Sequence, residues 1–143
     1  MHLTRSSRFL LAATLTIASG CADDPNVPPA GVPGSYHATT FTLASGGPAV
    51  NLLAVGASMT MTLTPDHATT GRLVVPAAVA GGTAVDESLT GTSRQSNDTV
   101  YFDGPADTFV RDVPFVVRGA SLTGHYDPPG GQILVTLSKY GLD

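Results

Sequence analysis

Alternation of apolar and polar residues between frequent turn signals is the feature of this sequence that most restricts its fold. In 58–64, "SMTMTLT", the apolar residues Met59, Met61 and Leu63 occupy every second position, and serine or threonine fills the others. Successive side chains of a β-strand point to opposite faces, so this period predicts a strand with one apolar face. Similar runs bounded by glycine, proline and asparagine predict eight strands, at 35–44, 58–64, 69–78, 83–95, 99–103, 108–118, 121–127 and 132–140.

A series of strands joined by short connections restricts the architecture further. An open sheet leaves edge strands with unpaired backbone groups, and closure into a barrel removes those edges. At eight strands, the interior of a barrel is either just filled by side chains or just large enough for one small ligand. We therefore expect an all-β fold, an eight-stranded antiparallel up-and-down barrel. A half-open sandwich is the alternative architecture.

The segment 51–56, "NLLAVG", does not follow the alternation, because its apolar residues occupy both faces. Asn51 is a favourable helix N-cap, and Gly56 suits the left-handed residue that ends a helix. The segment therefore predicts one or two helical turns, lying across an opening of the sheet.

The chain begins with a segment of different composition. Arg5 and Arg8 precede an apolar run at 9–18, and small residues then lead to Cys21, the only cysteine. A basic start, a short apolar run and a small-residue ending are typical of a secretory signal. The run is shorter than the roughly 20 residues that a membrane-spanning helix needs.

The triplet Ala18-Ser19-Gly20 before Cys21 resembles the lipobox of bacterial lipoproteins. The resemblance implies that the chain is cut before Cys21 and that the thiol and the new amino terminus are acylated. Two or more acyl chains hold a protein stably at a membrane. Ala22, in place of an aspartate directly after the cysteine, implies the outer membrane, facing the periplasm or the surface.

Three regions follow from these patterns. We expect a lipoprotein signal peptide at 1–20, a lipidated cysteine with a tether rich in proline and glycine at 21–34, and one domain at 35–143. Residues 1–20 hold two of the seven cations and none of the eleven acids, so the remainder has a net charge of −6 with neutral histidines. An acidic chain with scattered cations is a poor nucleic-acid binder, and the membrane is the expected partner through the lipid anchor.

Gly34-Ser35-Tyr36 on the first strand and Lys139 on the last resemble the lipocalin pattern. Lipocalins open an eight-stranded meander with G-x-W and close it with a basic residue that packs over the aromatic ring. Over 34–140, the resemblance implies non-covalent binding or carriage of a small hydrophobic molecule, without catalysis. It points Tyr36 into the barrel, whereas alternation with Phe41 points Tyr36 outward, and both directions remain open at this level.

Strict alternation also predicts which side chains line the barrel interior. Methionine thioethers among them adapt to varied apolar shapes, which favours binding, although a filled core is the alternative interpretation. The candidate ligand-lining residues are Phe41, Met59, Met61, Leu63, Phe102, Arg111 and Phe115.

Arg111 has two alternative interpretations. It shares the phase of Phe115, so alternation would aim its guanidinium inward, where it would suit the carboxylate of a fatty acid. Pro114 cannot donate to a strand ladder, and a bulge at this proline would reverse the inside-outside alternation of the strand. Arg111 would then be free to pair with Asp107 or Asp112.

Catalytic and metal chemistry have little support in the sequence. His37, His67 and His125 lack the spacing of metal ligands, and no G-x-S-x-G motif is present. We therefore expect no enzyme activity, no metal and no cofactor. The functional hypotheses are an envelope lipoprotein that binds a small hydrophobic ligand, and an envelope interaction or scaffold lipoprotein with a filled barrel and a protein partner.

Replacement Cys21→Ser tests the lipid anchor. We expect the variant to be soluble or unprocessed, because serine offers no thiol for acylation. Fractionation of bacterial membranes after labelling with radioactive palmitate measures both properties. A variant that is fully processed and membrane-bound would contradict the lipobox interpretation.

Overall fold

The alternation seen in the sequence separates the inside of the protein from its outside. Met59, Met61 and Leu63 are at most 3% exposed, whereas Ser58 and Thr60, which alternate with them, are exposed. A computed structural model describes residues 31–140. Cys21, the predicted signal peptide and most of the predicted tether lie outside the described residues.

The described residues form ten strands and two short helical turns. The strands are β1 (Gly34–Ala44), β2 (Val50–Asn51), β3 (Ser58–Leu63), β4 (Ala68–Val75), β5 (Val85–Ser88), β6 (Gly91–Ser96), β7 (Thr99–Asp103), β8 (Phe115–Arg118), β9 (Ser121–Tyr126) and β10 (Gln132–Lys139). A 3₁₀ helix spans Leu53–Val55, and α1 spans Phe109–Asp112.

Eight of these strands close into an antiparallel barrel. The order is β1-β3-β4-β6-β7-β8-β9-β10, and β10 pairs with β1, which closes the barrel. Apart from the small strands β2 and β5, each strand therefore lies beside its neighbours in the chain, which confirms the predicted up-and-down barrel. The arrangement is compatible with a lipocalin-like fold.

The two small strands are additions to this barrel. β2 pairs with Thr42 and Leu43 near the end of β1, and β5 pairs with residues 72–75 at the end of β4. Arg72 opposite Ser88 and Thr69 opposite Gly91 belong to one continuous register, so β5 and β6 together are the predicted strand 83–95, interrupted at Leu89 and Thr90.

A β-bulge in β1 decides the direction of Tyr36. Ala38 pairs with Leu137 and Thr40 with Thr136, so Thr39 is the extra residue. A bulge adds one residue to one strand and reverses its inside-outside phase. Tyr36 before the bulge and Phe41 after it are therefore both inside, at 2% and 1% exposure.

Tyr36 and Lys139 close the barrel where the chain enters it. The two residues are opposite each other in the β1–β10 ladder. The Tyr36 hydroxyl donates to the carbonyl oxygen of Val32 at 2.5 Å, and the Lys139 Nζ donates to that of Gly31 at 2.7 Å. The stem of Lys139 lies on Gly34, where a Cβ would overlap it. Burial raises the pKa of Tyr36.

The two ends of the barrel differ in their connections. At the end where β1 begins, the turns are 64–67, 97–98 and 119–120, and we call this the turn end. Asn97 has a φ of 54° and Gly119 one of 59°, as tight hairpins require. The opposite end, the loop end, carries the longer connections 45–57, 76–84, 104–114 and 127–131.

The prediction of one strand over 108–118 is wrong in its first part, which forms α1. Val110 within α1 and Val113 directly after it are both buried, at 3% and 1% exposure. Pro114 follows and cannot donate to a ladder, so β8 begins at Phe115. Pro76 likewise follows β4, which ends at Val75, three residues before its predicted end at 78.

Gly91 is required where β6 passes β7, because a Cβ there would overlap the carbonyl oxygen of Asp103. We expect Gly91→Ala to lower the free energy of unfolding by about 1–3 kcal/mol, the usual cost of overpacking. Gly47→Ala is the matched control, since a Cβ at Gly47 meets nothing within 4 Å. Urea denaturation measures both variants, and equal stabilities would contradict the tight β6–β7 approach.

Candidate functional site

The loop end is the candidate functional site, because long connections on a rigid barrel are where binding residues usually lie. The turn end consists of tight turns and the closure around Tyr36. At the loop end, by contrast, three of the connections send side chains back over the barrel opening. Their packing determines what the interior can hold.

The connection 104–114 covers part of this opening through α1. Phe109 is half-buried, with its ring centroid 5.9 Å from that of Phe41 and 6.2 Å from that of Tyr126. Val110, beside it, is buried against the core. We call 104–114 the plug, because its apolar side chains occupy the barrel opening.

The 3₁₀ helix and the connection after β4 complete the cover. Leu52 is 3% exposed, and its backbone amide donates to the carbonyl oxygen of Phe41 at 2.8 Å. The Asn51 side chain accepts from the Leu53 amide at 3.1 Å, and Gly56, with a φ of 93°, ends the turn. The predicted helical segment is thus confirmed. Val79 packs against the same core from the other side.

Six of the seven predicted lining residues lie inside the barrel. Each is at most 7% exposed: Phe41, Met59, Met61, Leu63, Phe102 and Phe115. Phe102 and Phe115 meet edge to face with centroids 5.2 Å apart, a favourable aromatic arrangement. These residues contact one another and form a core, and their role in ligand binding stays a prediction.

The cavities beside this core are small. One of them has a volume of about 20 Å³, and another, near Val32 and Leu63, about 10 Å³. A volume of this size holds about one water molecule. Pockets for drug-sized ligands have volumes of roughly 300–1,000 Å³, so neither cavity admits such a molecule.

Arg111 lies outside the barrel, whereas strict alternation would place it inside. Because the segment is helical, the residue projects from α1 with 42% of its side chain exposed. Its guanidinium donates to Asp107 at 2.7 Å and lies 3.6 Å from Asp112. The hydrogen bond with Asp107 raises the pKa of Arg111. The pairing interpretation is therefore the one that the structure supports.

The larger cavity is a cleft between the plug and the interruption that separates β5 from β6. Met61, Leu89 and Phe102 form its floor, and Val110 and Arg111 belong to its plug side. We call it the side cleft.

Leu89 was absent from the predicted lining residues, although the sequence contains a signal for it. It is the only large aliphatic residue between Val85 and Val100, and it is 7% exposed. Thr69 lies beside it, with its hydroxyl 3.5 Å from the Leu89 carbonyl oxygen. Apart from the Tyr36 hydroxyl, Thr69 carries the only polar side chain among the buried residues in the described part of the chain.

The histidines do not come together. His37 packs against Tyr140 in a tilted arrangement with ring centroids 4.4 Å apart, and the Nε2 of His125 lies 3.4 Å from Asp127. No group of three or more potential metal-ligating side chains occurs within residues 31–140. No helix in the same range has the length and apolar character needed to cross a membrane.

Comparison with protein-family models, with curated proteins and with solved structures found no match to this chain. The function is therefore inferred from the geometry of the barrel itself.

Phe109→Ala tests the plug. We expect it to lower the free energy of unfolding by about 2 kcal/mol or more, because the ring loses its contacts with Phe41 and Tyr126. The control Arg111→Ala, in the same helical turn, should leave stability almost unchanged, since exposed ion pairs contribute little. Thermal denaturation compares the two variants, and equal losses would contradict the plug's role in the core.

Proposed function

We propose that this protein is a lipid-anchored interaction module of the bacterial cell envelope, with a filled barrel that binds a protein partner through its loop end. The filled interior is the observation that carries this proposal. Aromatic, methionine and leucine side chains occupy the space in which a carrier would hold its ligand. A module of this kind has no catalytic step and needs no cofactor.

The direction of chain entry supports the same proposal. Residues 31–34 lead into β1 at the turn end, where the backbone of Gly31 is held by Lys139. A lipid on Cys21 would therefore attach the barrel to the membrane from the turn end. The loop end would face away from the membrane and would be accessible to a partner.

A small apolar ligand is the second candidate, and the side cleft is the observation that favours it. Its floor residues Met61 and Phe102 belong to the core, so displacement of the plug would connect the cleft with the interior. This candidate requires the contacts of Phe109 and Val110 to break before a ligand enters.

Photo-crosslinking in bacterial cells tests the interaction module. A photoreactive amino acid is placed in the full-length chain at Val55 or Ala78, both exposed at the loop end, and at Asp98 at the turn end as control. We expect the two loop-end positions to crosslink to the same protein and Asp98 not to. Absence of any adduct above the Asp98 control would contradict the proposal.

A fluorescent fatty acid tests the second candidate on the same full-length protein. The interaction module predicts no saturable binding. Saturable binding that is lost in Met61→Trp, which places a larger side chain in the core, would instead favour the carrier. Circular dichroism of Met61→Trp shows whether the variant is folded and therefore whether the comparison is valid.

A further inference from the structure

β5 is an edge strand within an otherwise closed barrel. It pairs with β4 on one side, and no described strand pairs with its other side. β7 would be the next neighbour, but its ladder with β6 ends at Asp103 opposite Thr92. Pro105, two residues later, has no amide to extend the ladder. A gap therefore separates β5 from the plug.

The backbone groups that face this gap follow from the β4–β5 hydrogen bonds. The Leu89 amide donates to the Gly71 carbonyl oxygen at 3.0 Å, so this pair is a hydrogen-bonded one. Hydrogen-bonded pairs alternate along an antiparallel ladder, so Glu87 also faces β4. Asp86 and Ser88 then direct their amides and carbonyls away from β4. No backbone hydrogen bond outside the ladders involves either residue within 31–140.

The free edge continues into the side cleft. Leu89 and Thr90, which follow β5 directly, both line the cleft, and Leu89 shares the inner face of the strand with Glu87. A strand paired with β5 would therefore carry a side chain to the mouth of the cleft. Extended peptides that add to a sheet edge gain affinity from backbone hydrogen bonds and specificity from such pockets.

The charges beside this edge select the kind of strand that fits. Glu87 and Asp103 are exposed at the gap and have no ion pair among the described residues, whereas Asp86 is bound to Arg72 by two hydrogen bonds of 2.7 Å. A second copy would place its own Asp86 and Glu87 against these acids, and the whole chain already carries a net charge of −4. Like charges facing each other across strands are destabilising, and opposite charges stabilise.

We propose that β5 and the side cleft bind an extended, basic segment of another protein, which adds to the barrel as a further strand. The segment pairs with the free groups of Asp86 and Ser88, places a small apolar side chain at the cleft and directs basic side chains to Glu87 and Asp103. The proposal rests on the proposed function as a protein-interaction module, and it names the partner's chemistry.

The test uses a panel of synthetic nonapeptides rich in β-branched residues, in which a lysine or arginine stands two positions from a small apolar residue. Both side chains then point to the face that Glu87 shares with the cleft. The readout is hydrogen exchange of segment 85–88 in the full-length protein, measured by mass spectrometry with fragmentation. Basic peptides should slow exchange at Asp86 and Ser88 and leave Glu87 almost unchanged, because the Glu87 amide is already bonded to β4. A matched panel with glutamate in place of the basic residues should slow neither.

Two substitutions at one position separate the backbone contact from the side chain. Ser88→Pro removes an amide that faces the gap, at an edge position where proline is tolerated. Loss of one hydrogen bond should weaken peptide binding about tenfold. Ser88→Ala keeps the amide and should bind within about twofold of the original. Glu87→Lys should shift the preference toward the acidic panel.

Three results would overturn the proposal. The first is failure of the whole basic panel to slow exchange at Asp86 and Ser88. The second is equal peptide binding by Ser88→Pro and Ser88→Ala. The third is slowing of exchange that rises with protein concentration alone, which would assign the edge to a second copy. Crosslinks from Val55 or Ala78 to a cellular protein, together with failure of the peptides, would reject this docking mode and keep the interaction module. Failure of both experiments would reject the interaction module as well.

Discussion

Pairing of the first barrel strand with the last is the constraint on which the rest of the structure depends. β1 and β10 are far apart in the chain, and their ladder converts a meander of strands into a closed barrel without a free edge at this seam. The bulge at Thr39 reverses which residues of β1 point into the barrel, while the β1–β10 ladder continues on both sides of it. It allows Tyr36 to fill the turn end and Phe41 to fill the loop end.

Closure leaves one opening, and the plug decides what the barrel is able to do. A barrel of eight strands has an interior that side chains just fill, so one inserted segment is enough to exclude a ligand. Phe109 and Val110 supply that segment from a connection with proline near both ends. The interior is then a core, and the surfaces that remain for recognition are the connections and the free edge of β5.

The free edge and the side cleft have a common origin. The register between β4 and its partner strand is continuous, but that strand is interrupted at Leu89 and Thr90, and β7 stops at Asp103. β5, the part of the partner strand that precedes this interruption, is therefore left without a second neighbour among the described strands. The closed barrel thus keeps a short edge at β5, which is exposed and acidic at Asp86 and Glu87.

The sequence by itself determined most of the strands, the tight turns, the short helical segment at 51–56 and the inward position of residues such as Met61 and Phe102. These features depend on periodicity and turn residues, which are local. Only the tertiary structure decided the bulge at Thr39, the helical plug with Arg111 outside, and the free edge of β5. Each of these features depends on which segments pair across the barrel and where each ladder ends. Such pairing is a long-range property, which the residues adjacent in the chain do not determine.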